Sequence, residues 1–304
     1  MSHIVSRTQW IQLTAISAVA LALYAGFRLL PTGTNLSHMD FRVSGSNSIE
    51  FCDPSNPQFI PVVAVRSPVT MTLTSVLPPL AGTDVSVRLQ LATSSGKPLG
   101  PTDLVLAHTR KLHLLIIDPS LQDYQHVHPE PTRTPGEWIF SFQPRAGGVY
   151  RVFADFTPAA TNRGLYASAD LKVDGAPLAM AVRVADAGVQ DQGDYRFSLV
   201  SGNQTIRAGS PVDLEFTVTR KDGGSVRLEL VMDAYAHLVA FDEPRGGFAH
   251  LHPTDLDPNA ELNPQRPSLS FKLTIPSSGR YVIWAQVGID GRELFVPFWL
   301  SVVD

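Results

Sequence analysis

One pattern occurs twice and restricts the fold more than any other feature of the chain. It is H-x12-H-x-H-P, carried once by His113, His126, His128 and Pro129 and again by His237, His250, His252 and Pro253. Six of the nine histidines fall in it. The surrounding landmarks repeat in the same order. Ala81-Gly82 and Ala208-Gly209 each open an alternating run. His113-Leu-Leu-Ile-Ile117 corresponds to His237-Leu-Val-Ala-Phe241, and Gly148-Val-Tyr150-Arg-Val-Phe-Ala154 corresponds to Gly279-Arg-Tyr281-Val-Ile-Trp-Ala285. A fixed order of landmarks marks tandem duplication of a unit of about 110–120 residues. The expected division is a membrane-directed segment over 1–30, a linker or stalk over 31–64, a first repeat over 65–175 and a second over 176–304.

Each repeat reads as β structure. In Val85-Ser-Val-Arg-Leu-Gln-Leu91, Trp138-Ile-Phe-Ser-Phe142, Val212-Asp-Leu-Glu-Phe-Thr-Val218 and Leu269-Ser-Phe-Lys-Leu-Thr-Ile275, apolar and polar residues alternate, as in half-buried strands. Turns such as Ser95-Gly96-Lys97 and Asp222-Gly223-Gly224 separate such runs, and 24 prolines and 22 glycines argue against long helices. The expected fold is all-β: two tandem antiparallel sandwiches, Ig-like or cupredoxin-like, after an N-terminal transmembrane helix.

The uncharged stretch from Thr8 to Phe27 is 20 residues long, enough to cross a bilayer as a helix. Arg7 precedes it and favours a cytoplasmic N-terminus, although Arg28 just beyond weakens that bias. A cleaved signal peptide is the alternative, with small residues near Ala20 and Ala22 for a peptidase. Either reading puts the body outside the cytoplasm. The expected location is a bacterial inner membrane, crossed once, with the C-terminal body in the periplasm or extracytoplasmic space. A net charge of −4 gives no basic field for nucleic acid. The single cysteine, Cys52, excludes an internal disulfide or a cysteine-rich cluster.

The repeated histidines have a calculable geometry. If Asp118 to Asp123 forms a six-residue loop, Ile117 pairs with Tyr124 and His113 lies opposite His128. The same loop length from Asp242 to Gly247 pairs Phe241 with Phe248 and His237 with His252. Residues two apart on a strand share a face, and so do direct partners. Three imidazoles then gather on one face of each hairpin, whereas a slip of one residue would separate them. Such trios suit Cu²⁺ or Zn²⁺ and leave a coordination position open. His113, His126, His128, His237, His250 and His252 are therefore the expected metal ligands, with a copper or zinc ion as the bound partner. His108 and Met232 stand five residues before the first histidine of each set, and a nearby methionine would favour copper. Glu130 and Asp255 follow the His-Pro pairs at unequal offsets and rank low as further ligands. Because ligation needs neutral imidazole, affinity is expected to fall as pH drops below about 6.5.

Other functions have less support. No G-x-S-x-G, P-loop or G-x-G-x-x-G stands in a fitting context, and no acid/base pair or nucleophile accompanies the histidines, so an enzyme is not expected. Neither set has a cysteine beside it, which disfavours a blue-copper site. The main alternative is a non-catalytic envelope module for structure or interaction, whose histidines only pin the hairpins. Asp118, Asp123 and Asp242 fit ordinary loop chemistry.

His237-Leu-Val-Ala-Phe241 followed by Phe248-Ala-His250-Leu-His252-Pro253 resembles the GHLV…HxHP segment of uncharacterised exported bacterial β-sandwich proteins. Some of these are labelled heavy-metal-binding or copper-associated. Lys111 to Ile117, Gln125 to Pro129 and Tyr150 to Phe156 resemble the other half of the same group, so the likeness covers about residues 65–304. It implies tandem β-sandwiches that are exported and often membrane-attached, and it supplies no reaction. Ala236 replaces the glycine often found before the histidine. The Cys-Pro-Met-His-Pro motif of some relatives is missing, with Phe51-Cys52-Asp53-Pro54 at most a remnant.

Overall fold

The structure is a computed structural model that describes residues 6–29, 36–41, 58–179, 188–202, 204–254 and 262–304. Cys52, Asp255 and most of the expected linker lie outside the described residues.

The N-terminal unit holds one helix, α1 (Arg7–Leu29). Its start is capped reciprocally: the Gln9 amide donates to Ser6 Oγ at 3.3 Å, and the Ser6 amide donates to Gln9 Oε1 at 2.8 Å. Residues Arg7–Gly26 are long and apolar enough to cross a bilayer, a test that a signal sequence passes as well.

The remainder, Leu36–Asp304, is one compact unit built almost entirely of antiparallel strands. In the first half these are β1 (Val69–Ser75), β2 (Val85–Thr93), β3 (Leu112–Ile117), β4 (Tyr124–Val127), β5 (Glu130–Pro131), β6 (Glu137–Phe142), β7 (Gly148–Phe156) and β8 (Leu165–Val173). In the second half they are β9 (Val189–Gln192), β10 (Tyr195–Val200), β11 (Pro211–Arg220), β12 (Leu228–Glu229), β13 (His237–Asp242), β14 (Phe248–Leu251), β15 (Ser268–Thr274), β16 (Gly279–Ile289) and β17 (Arg292–Val302). The first half makes two sheets, in the orders β1-β2-β6-β5 and β4-β3-β7-β8. The second makes β15-β11-β10-β9 and a sheet in which β16 pairs with β12, β13 and β17 while β14 pairs with β13. The two plans match strand for strand around the histidine hairpins.

Local chemistry repeats with the topology. Gly82 and Gly209 take φ values of 78° and 72°, and each donates its amide at 2.7 Å to a carbonyl, that of Pro144 or of Ile275. The Tyr150 hydroxyl donates to the Ala146 carbonyl at 3.1 Å, and that of Tyr281 to the Ser277 carbonyl at 2.9 Å. Both are tyrosine corners, in which a phenol ties a strand to the bend before it. The loop aspartates act structurally. Asp118 accepts the amides of Ser120, Gln122 and Asp123 within its hairpin loop, and Asp242 accepts that of Gly247. Those bonds hold the loop length that sets each hairpin's register.

Each half has its own core, and a third apolar cluster lies between them. β3 is buried at every position and β13 at all but its last. One face of each strand fills its own sandwich: Leu114 and Ile116 do so in the first half, Leu238 and Ala240 in the second. The other face meets the opposite half: Leu115, Ile117 and Phe153 pack there with Val239, Phe241, Val282 and Trp284. Burial on both faces explains why these strands read as continuous apolar runs rather than alternating ones. Each fully buried side chain of this kind contributes about 1.5–3 kcal/mol.

Two pieces of the segment expected to be linker are held against the cores. Leu36 and Phe41 cover the first, and Lys97 pairs with Asp40 at 2.5 Å. Phe59 joins the second, while the Ile60 amide donates to the Phe248 carbonyl at 2.8 Å. The chain passes so close here that a Cβ on Gly247 would fall 2.0 Å from the Ile60 carbonyl oxygen. Gly247→Ala is expected to lower stability by about 1–3 kcal/mol through overpacking. Denaturant unfolding of the variant checks this, and an unchanged midpoint would contradict the close passage.

Candidate metal centre

The hairpin registers agree with those expected from loop length. Ile117 pairs with Tyr124 and Leu114 with Val127, so His113 lies opposite His128. Phe241 pairs with Phe248 and Leu238 with Leu251, so His237 lies opposite His252. Alternation puts His113 on the face of Leu115 and Ile117, the face turned towards the other half, and His237 likewise shares the face of Val239 and Phe241. The six histidines therefore lie between the halves, and the two trios are neighbours. Ring centroids of His126 and His250 are 5.5 Å apart, and those of His113 and His250 are 5.9 Å apart.

Within each trio one nitrogen per ring converges on a shared centre, all within 4.8 Å of one another, an arrangement that can hold a metal ion. In the first trio, His113 Nδ1 is 3.2 Å from both His126 Nε2 and His128 Nε2. That is close to the edge of a tetrahedron with metal–nitrogen bonds of about 2.0 Å, roughly 3.3 Å.

The outward nitrogens fix which atoms carry protons. His113 Nε2 faces the Ala107 carbonyl at 3.0 Å, and a carbonyl only accepts, so Nε2 is the protonated atom and Nδ1 bears a lone pair. Gln286 Nε2 donates to Glu293 Oε2 at 2.7 Å, which turns Gln286 Oε1 towards His126 Nδ1 at 2.9 Å. His126 Nδ1–H donates there, leaving Nε2 with a lone pair. Two lone pairs thus face each other across 3.2 Å. Of the three rings, only His128 has a proton to offer the first centre.

The second trio repeats the scheme. His237 Nε2–H donates to the Val231 carbonyl at 2.8 Å, and His250 Nδ1–H donates to Asp155 Oδ2 at 3.1 Å. The inward atoms, His237 Nδ1, His250 Nε2 and His252 Nε2, are buried and have no hydrogen-bond partner. Buried polar atoms are nearly always paired, so three orphans aimed at one point need a common explanation. The orienting residues cross between halves: Gln286 serves His126, and Asp155 serves His250. They hold equivalent places, each directly beside the first histidine of its own half, with Asp155 paired to His113 and Gln286 to His237. Such outer hydrogen bonds fix tautomer and ring angle at metal sites.

A seventh histidine joins the group. His108 stacks on His252 with centroids 3.8 Å apart and planes at 17°, and it meets His237 edge-on at 6.2 Å. His38 and Glu130 belong to neither trio. The sequence pattern contained the six clustered rings, but Asp155, Gln286 and the reach of His108 escaped it. The available signal was a polar residue after Ala154 and after Ala285, at the same place in two otherwise apolar strands.

Burial keeps these rings uncharged. Loss of solvent, reinforced by the neighbouring imidazoles, drives His126 and His250 well below the ordinary histidine value and lowers His128 to about 3. Desolvation likewise lowers His237 to about 4, although its bond to Val231 opposes the shift. Lone pairs therefore stay available well below pH 6.5, a lower window than the unperturbed residue implies. Between the folded values and about 6.5 the unfolded chain binds more protons than the folded one, so stability rises with pH. The metal-free protein is expected to lose thermal stability progressively from about pH 6.5 towards pH 4. Replacing His237 with Gln should flatten that dependence in melting curves, and an identical slope would contradict the buried neutral ring.

Residues 64–174 and 188–304 each match the model of a domain of unknown function, DUF8832, and the chain belongs to this family. No curated protein matches the chain. Among solved structures, Escherichia coli alpha-2-macroglobulin activated by porcine elastase is similar at 11% identity and a TM-score of 0.25, over 79% of this chain and 22% of that one. Salmonella alpha-2-macroglobulin reacted with methylamine gives 12% identity and a TM-score of 0.25, over 82% and 16%. A Corynebacterium diphtheriae protein described as membrane anchored gives 10% identity and a TM-score of 0.25, over 79% and 59%. The chain thus spans less than two thirds of each of these neighbours, and a likeness at that TM-score bears on nothing further.

Proposed function

We propose that this member of the DUF8832 family binds transition-metal ions, copper or zinc, outside the cytoplasm, in buffering, delivery or sensing. His113, His126 and His128 form one site, and His237, His250 and His252 form the other. α1 tethers the body to a bacterial inner membrane, crossing it once, with the two repeats in the extracytoplasmic space. The observation that carries this reading is the convergence of His237 Nδ1, His250 Nε2 and His252 Nε2, buried and unpartnered, at one centre. A bound cation would satisfy all three at once, and three protein ligands would leave a position for water or an exchanging ligand. The family description names no catalytic activity.

A second reading is favoured by the bonds of the outward nitrogens. His113 and His237 tie strands to turns, while His126 and His250 tie one half to the other. On that reading the rings only pin the fold. It accounts for the outer nitrogens and leaves the inner ones unexplained.

Calorimetric titration of metal-stripped full-length protein in detergent separates the two. Metal binding predicts saturable uptake of Zn²⁺ or Cu²⁺ near neutral pH at two sites, reduced to one by the pair His126→Gln and His128→Gln, or by His250→Gln and His252→Gln. Pinning predicts altered melting with no saturable uptake in any form, and that result would end the proposal. Asp155→Asn is expected to weaken the second site by about 10–100-fold while sparing the first, as loss of an outer carboxylate does elsewhere. Equal effects at both sites would contradict its assignment to His250.

A further inference from the structure

The two trios share one wall. His126 and His250, the middle rings of the two sets, stand against each other with centroids 5.5 Å apart and planes at 87°. His113 meets His250 at 5.9 Å, and His126 meets His237 at 6.4 Å. The orienting bonds cross this wall in opposite directions. His126 donates to Gln286, the strand partner of His237, and His250 donates to Asp155, the strand partner of His113. Neither trio can draw away from the other without breaking a bond that sets one of its own rings.

This contact limits how far apart two bound ions can be. An ion bonded at about 2.0–2.1 Å to an imidazole nitrogen lies roughly 3.2 Å from the centre of that ring. Two ions, one on each side of the 5.5 Å contact between His126 and His250, are therefore no more than roughly 12 Å apart. At that limit, and with the full screening of bulk water, two dications repel enough to weaken binding by about tenfold. Poorer screening between buried rings only enlarges the factor. Asp155, hydrogen-bonded to His250, brings one negative charge against four positive ones.

We infer that the six histidines make one coupled pair of sites rather than two independent ones: a dication in either trio weakens the hold of the other trio on a second dication, whereas monovalent ions fill both with little mutual interference. Repulsion scales with the product of the charges, so a tenfold effect between two Zn²⁺ ions becomes about twofold between two Cu⁺ ions. The coupling is reciprocal, whichever trio fills first. A second dication is then released at a free concentration at least about tenfold higher than its own trio alone would require. The inference rests on the metal-binding reading above and goes beyond it in joining the two sites and making their exchange depend on ionic charge.

The test uses metal-stripped full-length protein in detergent, titrated with Zn²⁺ against a competing chelator. Three forms are compared: the unaltered chain, the pair His126→Gln and His128→Gln, and the pair His250→Gln and His252→Gln. Each double variant gives the affinity of one trio alone. The product of the two dissociation constants of the unaltered protein is expected to exceed the product of the two single-trio values by at least about tenfold for Zn²⁺. For Cu⁺, titrated anaerobically, the excess is expected to fall to about the fourth root of the Zn²⁺ value. Equal products for Zn²⁺ overturn the coupling and leave two independent metal sites standing. The same excess for both ions overturns its origin in charge. Binding of neither ion by any form overturns both this inference and the metal-binding reading. A second measurement needs no variant. Electron paramagnetic resonance of the unaltered protein holding two Cu²⁺ ions is expected to show the half-field transition of two coupled spins. A spectrum that is only the sum of two isolated ions overturns the proximity on which the coupling rests.

Discussion

Imidazole nitrogens enclosed between two sheets must meet a proton, a polar partner or a cation, because the surroundings supply no solvent to satisfy them. That requirement governs the centre of this molecule. Backbone carbonyls and the polar side chains of Asp155 and Gln286 take the outer nitrogen of four rings. Their demands set the tautomers, and the tautomers leave lone pairs pointing inward. Asp155 is itself raised by its burial, while nearby His113 and His108 act to lower it. The site is thus electrostatically tight before any ion is considered.

Duplication gives that arrangement its form. A single repeat would expose the outer face of β3 and β7, with Leu115, Ile117 and Phe153 on it. Two copies meeting through the same face bury it, and each copy supplies the group that orients a ring of the other. The apolar end of the interface, where Tyr124, Phe241 and Trp284 make ring contacts, holds the halves together. The polar end carries the chemistry. Cross-links such as Arg151 donating to the Arg245 carbonyl at 2.8 Å, and Trp284 donating to that of Leu121 at 3.3 Å, reinforce the contact. Each trio takes one of its orienting groups from the opposite half.

Much of this was legible in the sequence, for identifiable reasons. Equal hairpin loop lengths made the register calculable, and alternation then put three rings on one face. The facing of the two trios was not legible. Leu112 to Ile117 is apolar on both sides of the strand, so no alternation says which side turns to the core. Asp155 and Gln286 were visible only as polar interruptions, because their partners lie 95 and 160 residues away. The pH window was misplaced because desolvation depends on what encloses a ring, which composition does not reveal.

Anomalous diffraction from crystals of the metal-loaded protein, collected at the copper and zinc edges, tests the central claim most directly. The account predicts two peaks, one within about 2.0–2.1 Å of His113 Nδ1, His126 Nε2 and His128 Nε2, the other equally close to His237 Nδ1, His250 Nε2 and His252 Nε2. Peaks absent from both centres, with ordered water or ring protons satisfying the inward nitrogens, would contradict it.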